Sequence, residues 1–177
     1  MLRFDRSICG SLRASSEPEQ FIQAEAASRL GLISGIRFRM EYSGDSEQID
    51  TLIAQFFAAF DNRNGVKPNL TTILGCFADQ AVIARSADSD TQFLTPMEFA
   101  APRVELLASG TLLEFHETED SSSTSIVGNL AVRTSRYSKT GVLHGAPYVG
   151  AGTKCFQLIA IDSGWRILSL AWADDET

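Results

Sequence analysis

Cysteine and histidine are scarce in this chain, which limits the kinds of site it can build. The three cysteines, Cys9, Cys76 and Cys155, are far apart, odd in number and never in a CxxC pair. We therefore expect neither a disulfide framework nor a zinc site, and we expect a reducing, cytoplasmic location. The two histidines, His116 and His144, are a poor ligand set on their own, so no metal and no cofactor is predicted.

Long apolar runs are also missing. No run reaches the roughly 18 residues that a membrane-spanning helix needs. The first twenty residues, MLRFDRSICGSLRASSEPEQ, have arginine and serine but no apolar stretch of signal-peptide length. The acids Asp5, Glu17 and Glu19 argue against an organelle transit peptide. The sequence therefore predicts neither membrane insertion nor secretion.

Positive charge is sparse in most of the chain. The formal net charge is −7, with six arginines against four acids in residues 1–40 and nine basic residues against eighteen acids in residues 41–177. Nucleic acids and anionic membranes bind cationic surfaces, so neither is an expected partner of this acidic body. Gly128, Gly150 and Gly152 do not stand in a phosphate-loop pattern, so no nucleotide site is expected either.

Length and composition fit one domain with an appendage. The chain has 177 residues, of which 44% are hydrophobic and 21% charged, enough for one core. The appendage is residues 1–45, with a short helix predicted over residues 18–32 and breaks at residues 34–35 and 43–45. We expect a loosely ordered extension without chemistry, with a docking or targeting role as the alternative. The domain itself is predicted to be residues 46–177.

Three helices are predicted at the start of this domain. The first spans residues 46–61 and has a continuous apolar face. The members of that face are Ile49, Leu52, Ile53, Phe56, Phe57 and Phe60. Pro68 opens a second, shorter helix that runs to about residue 77. Thr95 and Glu98 form a capping-box pattern that begins a third helix, which ends near residue 109.

Strand patterns follow the second helix and dominate after the third. Strands are predicted at residues 81–84, 91–94, 111–118, 126–137, 153–161 and 165–172. Turns, loops or irregular segments are predicted at residues 86–90, 120–124, 138–141 and 142–151. Alternation places Leu113 and Phe115 on one face of their strand and Glu114 and His116 on the other. The last two strands form a hairpin, since Gly164 can take a positive φ in its turn.

Helices that precede mainly antiparallel strands indicate an α+β fold, in which the helices cover one face of a curved sheet. The last strand is apolar on both faces. Trp165, Ile167 and Ala171 are predicted on one face, and Leu168, Leu170 and Trp172 on the other. A strand that is apolar on both faces is usually covered on both. A second copy of the chain is the simplest cover, so a homodimer through the sheet face is predicted.

Three segments carry a resemblance to a known superfamily. They are IDTLIAQFFAAFDNRN in the first helix, CFADQAVIAR after the second helix, and FQLIAIDSGWRILSLAW at the last hairpin. With the order of elements, they make residues 46–174 resemble the nuclear transport factor 2-like superfamily. Its members include SnoaL-like polyketide cyclases, ketosteroid isomerases and scytalone dehydratase. The resemblance implies a cystatin-like cone, a curved antiparallel sheet wrapped around three helices, with a homodimer and a pocket in the cone mouth. It implies no particular reaction.

Catalytic members of this superfamily use an Asp or His base, helped by a Tyr or a second acid. His144 and Tyr148 are the candidate base and hydrogen-bond donor if residues 142–151 line the cone mouth, and His116 is a further candidate. A surface loop around His144 and a solvated or interfacial His116 are the alternatives. Whether the chain catalyses any reaction stays open.

Five residues are candidates for binding a ligand. They are Phe56, Phe60, Arg85, Arg133 and Trp172. The alternatives are the core for the phenylalanines, surface or interface ion pairs for the arginines, and the dimer contact for Trp172. Three hypotheses follow: a homodimer that binds a small organic molecule, a proton-transfer enzyme of the isomerase, cyclase or dehydratase kind, and a non-enzymatic assembly or partner-binding domain.

Overall fold

A computed structural model describes residues 42–87 and 90–175. Three α-helices and six strands, numbered here in chain order, make up this part, with a short 3-10 helix at Arg63–Gly65. They are α1 (Tyr42–Ala58), α2 (Leu70–Leu74), β1 (Phe77–Ala87), β2 (Asp90–Leu94), α3 (Pro96–Ala108), β3 (Leu112–Val127), β4 (Leu130–Leu143), β5 (Ala146–Ile161) and β6 (Gly164–Asp174). Apart from its last residues, the predicted extension over residues 1–45 lies outside the described residues, and so do its predicted helix and its first break.

The strands form one curved, open sheet in the order β2-β1-β6-β5-β4-β3. All neighbouring strands are antiparallel except β1 and β6, which are parallel. Helix α1 packs on β3 and β6, and α3 packs on β1 and β3. The predicted α+β class is confirmed, with the helices on the concave face of the sheet. No helix in the described ranges is both long and apolar enough to cross a membrane.

The apolar face of α1 forms the centre of the core, as its spacing predicts. All six predicted side chains of that face are buried. The ring of Phe56 makes edge contacts with Phe57, Phe60, Phe77 and Phe156, at centroid distances of 5.5–5.9 Å. Such edge-to-face pairs stabilise a core beyond the area they bury.

The first two helices differ from prediction at their ends. Helix α1 begins at Tyr42, so the break predicted at residues 43–45 is instead its first turn. The reason is tertiary, because buried Asp45 accepts a hydrogen bond of 3.1 Å from the Trp165 indole. Helix α2 begins after Asn69, whose side chain accepts a hydrogen bond from the Thr72 N–H. It ends at Leu74, and Phe77 opens β1 rather than closing the helix.

The capping box of α3 is confirmed. The Glu98 N–H donates to Thr95 Oγ1 at 3.3 Å, and the Thr95 N–H donates to Glu98 Oε2 at 2.8 Å. The hydrogen bond from the Thr95 backbone, with a smaller contribution from its hydroxyl, lowers the pKa of Glu98. Each group satisfies a donor that the first turn of a helix leaves without an intrahelical partner.

The middle strands are longer than predicted. Residues 120–124, predicted as a loop, belong to β3, and residues 138–141, predicted as a turn, belong to β4. The turn between these strands is instead at Gly128 and Asn129, inside the predicted strand 126–137. Residues 142–151, predicted as irregular, continue β4 and β5 around a turn at His144 and Gly145. These segments are polar because much of the β3–β4 ribbon is exposed, and backbone pairing holds them.

The described strands have four register shifts, and two of them bear on the predicted faces. The first, one of two between β3 and β4, lies near Glu114, which has φ 49°, and it leaves Leu113 exposed while Phe115 is buried. The prediction that these two share a face is wrong. The second shift lies between β5 and β6, where Leu168 is the extra residue. A single extra residue reverses the alternation of a strand.

The register shift between β5 and β6 changes which side chains of β6 face the core. Trp165, Ile167, Leu170 and Trp172 are all buried on the inner side, so the predicted division between two faces is wrong. The hairpin itself is confirmed, with Gly164 at φ 103°. The convex side of β6 includes Ala171, which is exposed.

Candidate ligand-binding cavity

A cavity of about 320 Å³ lies between α3 and the inner face of the sheet. Its apolar wall consists of Phe60, Phe99, Pro102, Leu106, Leu107, Leu112, Phe115 and Trp172. Its polar wall consists of Arg85, Arg103, Glu117, Tyr137, Lys139, Tyr148, Lys154 and Asp174. An apolar enclosure with a few convergent polar groups is the usual form of a small-molecule site.

Strand alternation and two glycines aim the polar side chains into this space. Tyr137 of β4 lies opposite Gly152 of β5, which lies opposite Asp174 of β6. A Cβ at Gly152 would come within 2.7 Å of the Tyr137 hydroxyl oxygen, and one at Gly150 within 2.7 Å of Lys139 Cε. The glycines therefore leave room for Tyr137 and Lys139 to cross β5 toward β6.

Asp174 joins two of these side chains. It accepts hydrogen bonds on Oδ1 from the Tyr137 hydroxyl at 2.5 Å and from Lys139 Nζ at 2.6 Å. Burial works to raise the pKa of Asp174, but the hydrogen bonds from Lys139 and Tyr137 hold it below its ordinary value. Burial, with the hydrogen bond to Asp174, raises the pKa of Tyr137. At neutral pH the group is a carboxylate held by one ammonium and one neutral phenol.

Lys154 and Glu117 form the second polar pair. Lys154 Nζ donates to the two Glu117 carboxylate oxygens at 3.1 and 3.2 Å, and it lies 3.2 Å from the centroid of the Tyr137 ring. The Lys154 side chain is 5% exposed and that of Glu117 is 13% exposed. Burial lowers the pKa of Lys154 to about 8. Near pH 8 this amine is therefore partly neutral, and it can accept a proton from an acidic group in the cavity.

The two arginines that line the cavity, Arg85 and Arg103, extend from β1 and α3 rather than from β4, β5 or β6. Arg103 extends from α3, donates to the Phe99 carbonyl at 2.7 Å, and has its guanidinium carbon 4.1 Å from the Phe99 ring centroid and 5.4 Å from the Trp172 ring. Burial lowers the pKa of Arg103. Arg85 extends from β1, on the same wall of the cavity. Within the described ranges, no group of His, Cys, Asp and Glu side chains is arranged to hold a metal ion.

Solved structures share this architecture. A nuclear transport factor 2-like superfamily protein from Salmonella enterica serovar Typhimurium LT2 has a TM-score of 0.63 and 15% identity, over 77% of this chain and 94% of that one. An NTF2-like protein with a cystatin-like fold from Novosphingobium aromaticivorans has a TM-score of 0.59 and 15% identity, over 85% and 88%. A protein of unknown function with a cystatin-like fold from Nostoc punctiforme has a TM-score of 0.57 and 15% identity, over 75% and 92%. The chain has the nuclear transport factor 2-like fold. No protein-family model and no curated protein matches it.

Within this fold, the structure places four of the predicted site residues at the cavity. Phe60, Arg85, Tyr148 and Trp172 line it, while Phe56 is fully buried in the core. Their roles in binding or catalysis stay predictions.

The other predicted site residues lie elsewhere in the fold. Arg133 is buried and pairs with Glu119 and Asp50, both at 2.6 Å. The cavity lining, as far as the described residues form it, includes neither histidine. His116 is half-buried with Nδ1 3.3 Å from Thr140 Oγ1, and His144 is exposed in the β4–β5 turn. Their predicted catalytic roles are not tested by this placement.

Sequence reasoning missed most of the polar wall. Arg103, Glu117, Tyr137, Lys139, Lys154 and Asp174 were not among the candidates. One signal was available, since Tyr137 and Lys139 stand two apart in an alternating strand, and Lys154 stands two before Phe156. A charged residue at an inward position of a strand is a reason to expect a site.

Proposed function

We propose that this protein is a SnoaL-like homodimer that binds a small organic molecule in its cone cavity. The observation that carries the proposal is the cavity itself, about 320 Å³ with an aromatic wall on one side and fixed polar groups on the other. That volume is at the lower end of the range for small-molecule sites, so the ligand is compact. A cone filled by its own side chains would have favoured an assembly role, but between the described residues an interior space remains.

A cavity-filling substitution tests the binding function. Leu106 lies on the rim of the cavity and is 38% exposed, so Leu106→Trp would fill the space with little disturbance of the core. We expect the wild-type protein, purified and denatured, to release a small organic molecule detectable by mass spectrometry, and Leu106→Trp to release none. Val149→Trp is the matched control, because Val149 is exposed and does not line the cavity. The proposal fails if the wild-type protein yields no molecule and a panel of small acids, amides and alcohols leaves its tryptophan fluorescence unchanged.

The convex face of the sheet supports the homodimer. One row of small, uncharged residues crosses four strands in register: Thr134 in β4, Cys155 in β5, Ala171 in β6 and Ala84 in β1. Val132 and Val82, on the neighbouring row, are 52% and 50% exposed. A row of small, uncharged residues of this kind can pack on its own copy about a two-fold axis.

Ala171→Arg tests that interface. In a two-fold contact each subunit contributes one new arginine, so two like charges lie close together at the interface. We therefore expect the dissociation constant of the dimer to rise about 100-fold or more. Sedimentation velocity over a concentration series measures the shift. Ala54→Arg, on the exposed side of α1, should leave the dimer intact. A wild-type protein that stays monomeric at high concentration, or an Ala171→Arg protein that dimerises normally, contradicts the proposed interface.

A further inference from the structure

We propose that the ligand of this cavity is an organic carboxylate, whose carboxyl group binds Arg85 and Arg103 while its apolar part lies on Phe99 and Trp172. This inference rests on the proposed binding function and adds the chemical class of the ligand.

The charges that line the cavity are unequal. Four cationic side chains, Arg85, Arg103, Lys139 and Lys154, face two carboxylates. The two carboxylates are already engaged, Asp174 with Lys139 at 2.6 Å and Glu117 with Lys154 at 3.1 Å. The cavity therefore carries two more positive than negative charges, inside a protein whose formal net charge is −7.

The unmatched charges belong to the two arginines. No carboxylate of the described residues forms an ion pair with Arg85 or Arg103. Both adjoin Trp172, since Arg85 lies opposite it in the β1–β6 pairing and the Arg103 guanidinium carbon is 5.4 Å from its ring. Burial and the charge of Arg85 act to lower the pKa of Arg103, against the attraction of Glu117 and Asp174. Two guanidinium groups held near each other and partly removed from water are stabilised by an anion between them.

The geometry selects a carboxylate attached to an apolar body. A guanidinium offers parallel N–H donors that match the two oxygens of a carboxylate. Arg103 is already held in place by the Phe99 carbonyl and by its contacts with two aromatic rings, so it loses little freedom on binding. Phe99 and Trp172, with centroids 5.5 Å apart, then offer an apolar surface beside the bound carboxylate.

Matched probes test the carboxylate class. Benzoate and phenylacetate would be compared with benzamide and benzyl alcohol by calorimetric titration of the full-length protein. We expect the acids to bind at least about tenfold more tightly than the neutral analogues, because charge-assisted hydrogen bonds are the stronger ones. Inorganic phosphate is included as a separate arm. If phosphate competes with the acids at equal strength, the site binds anions in general and the carboxylate assignment is overturned.

Substitutions of the arginines locate the carboxylate. Arg103→Met should weaken binding of the acids about 30-fold or more and leave binding of benzyl alcohol within a few-fold. Arg85→Met should act in the same direction, and Arg103→Lys should lose less than Arg103→Met. Arg136→Met is the matched control, since Arg136 is exposed and pairs with Asp175. Circular dichroism checks that each variant is folded. If Arg103→Met does not fold, Arg103→Lys provides the test instead.

The outcomes separate this inference from the binding function on which it rests. If neutral probes bind as tightly as the acids, or if Arg103→Met weakens both classes equally, the carboxylate inference is overturned and the cavity function stands. If neither class binds and no molecule is released from the purified protein, the binding function fails, and the carboxylate inference fails with it.

Discussion

Asn62→Ala should lower the free energy of unfolding by at least about 3 kcal/mol. The Asn62 side chain is buried and joins three segments: its Nδ2 donates to the carbonyls of Leu107 and Leu112 at 3.0 and 2.7 Å, and its Oδ1 accepts from the Phe115 N–H at 2.7 Å. Alanine leaves three buried backbone groups without these partners, and each such group costs about 1–3 kcal/mol. Urea unfolding followed by circular dichroism measures the loss.

Asn69→Ala is the matched control for this prediction. Asn69 also bonds a backbone group through its side chain, but it is exposed and caps only the short helix α2. Its loss should cost about 1 kcal/mol, as is usual for a helix cap. An Asn62→Ala protein no less stable than Asn69→Ala would show that Asn62 does not brace the domain. Because Leu107, Leu112 and Phe115 line the cavity, Asn62→Ala should weaken ligand binding as well.

Lys154 should make the wild-type protein gain stability relative to a Lys154→Met variant as the pH rises from about 8 to 10.5. In the folded state the pKa of Lys154 is lowered from the ordinary 10.5 to about 8, chiefly by burial. Below pH 8 the amine is charged in both the folded and the unfolded protein, and burying this charge lowers the stability of the folded state by the full amount. Between these values the unfolded chain still holds a proton that the folded protein has released, so raising the pH favours the folded state. The full gain in the free energy of unfolding is roughly 3 kcal/mol, at about 1.4 kcal/mol per unit of pKa difference.

The measurement is the difference between wild type and Lys154→Met in urea unfolding at several pH values from 7.5 to 10. Other groups titrate in this range, but they are common to both proteins and cancel in the difference. We expect the wild type to gain stability relative to Lys154→Met as the pH rises. Lys139→Met is the control. Burial acts to lower the pKa of Lys139, but the hydrogen bond to Asp174 and the nearby charges together raise it, so the Lys139→Met protein should keep the increase in stability with pH. A difference that does not change with pH would mean that Lys154 keeps an ordinary pKa.

The features that the sequence predicts best are local ones. The buried face of α1 follows from residues three and four apart, and the capping box of α3 needs only Thr95 and Glu98. The β5–β6 hairpin follows from a short turn that ends in Gly164. These elements, in this order, were sufficient to predict the α+β class and the resemblance to the nuclear transport factor 2-like fold.

The features that were missed depend on partners far along the chain. The extra residue at Leu168 exists only relative to β5, and it places both tryptophans on the same side. The sequence pattern around Asn62 is typical of a turn, yet the hydrogen-bond partners of its side chain are residues 107, 112 and 115. The ion pair of Lys154 with Glu117 likewise needs the pairing of β3, β4 and β5 before either side chain can be placed inside the cavity.

The parallel pairing of β1 and β6 also bears on how the domain is made. Val82 lies opposite Ser169, so one of the first strands of the domain pairs with the last strand described. Contacts between such distant segments form slowly. While the chain is still on the ribosome and β6 has not emerged, β1 lacks this neighbour, and the rings around Phe56 lack the cover that Trp172 and Leu170 provide. A nascent domain of this kind exposes an apolar surface that chaperones recognise, and its release as a folded unit awaits its final strand.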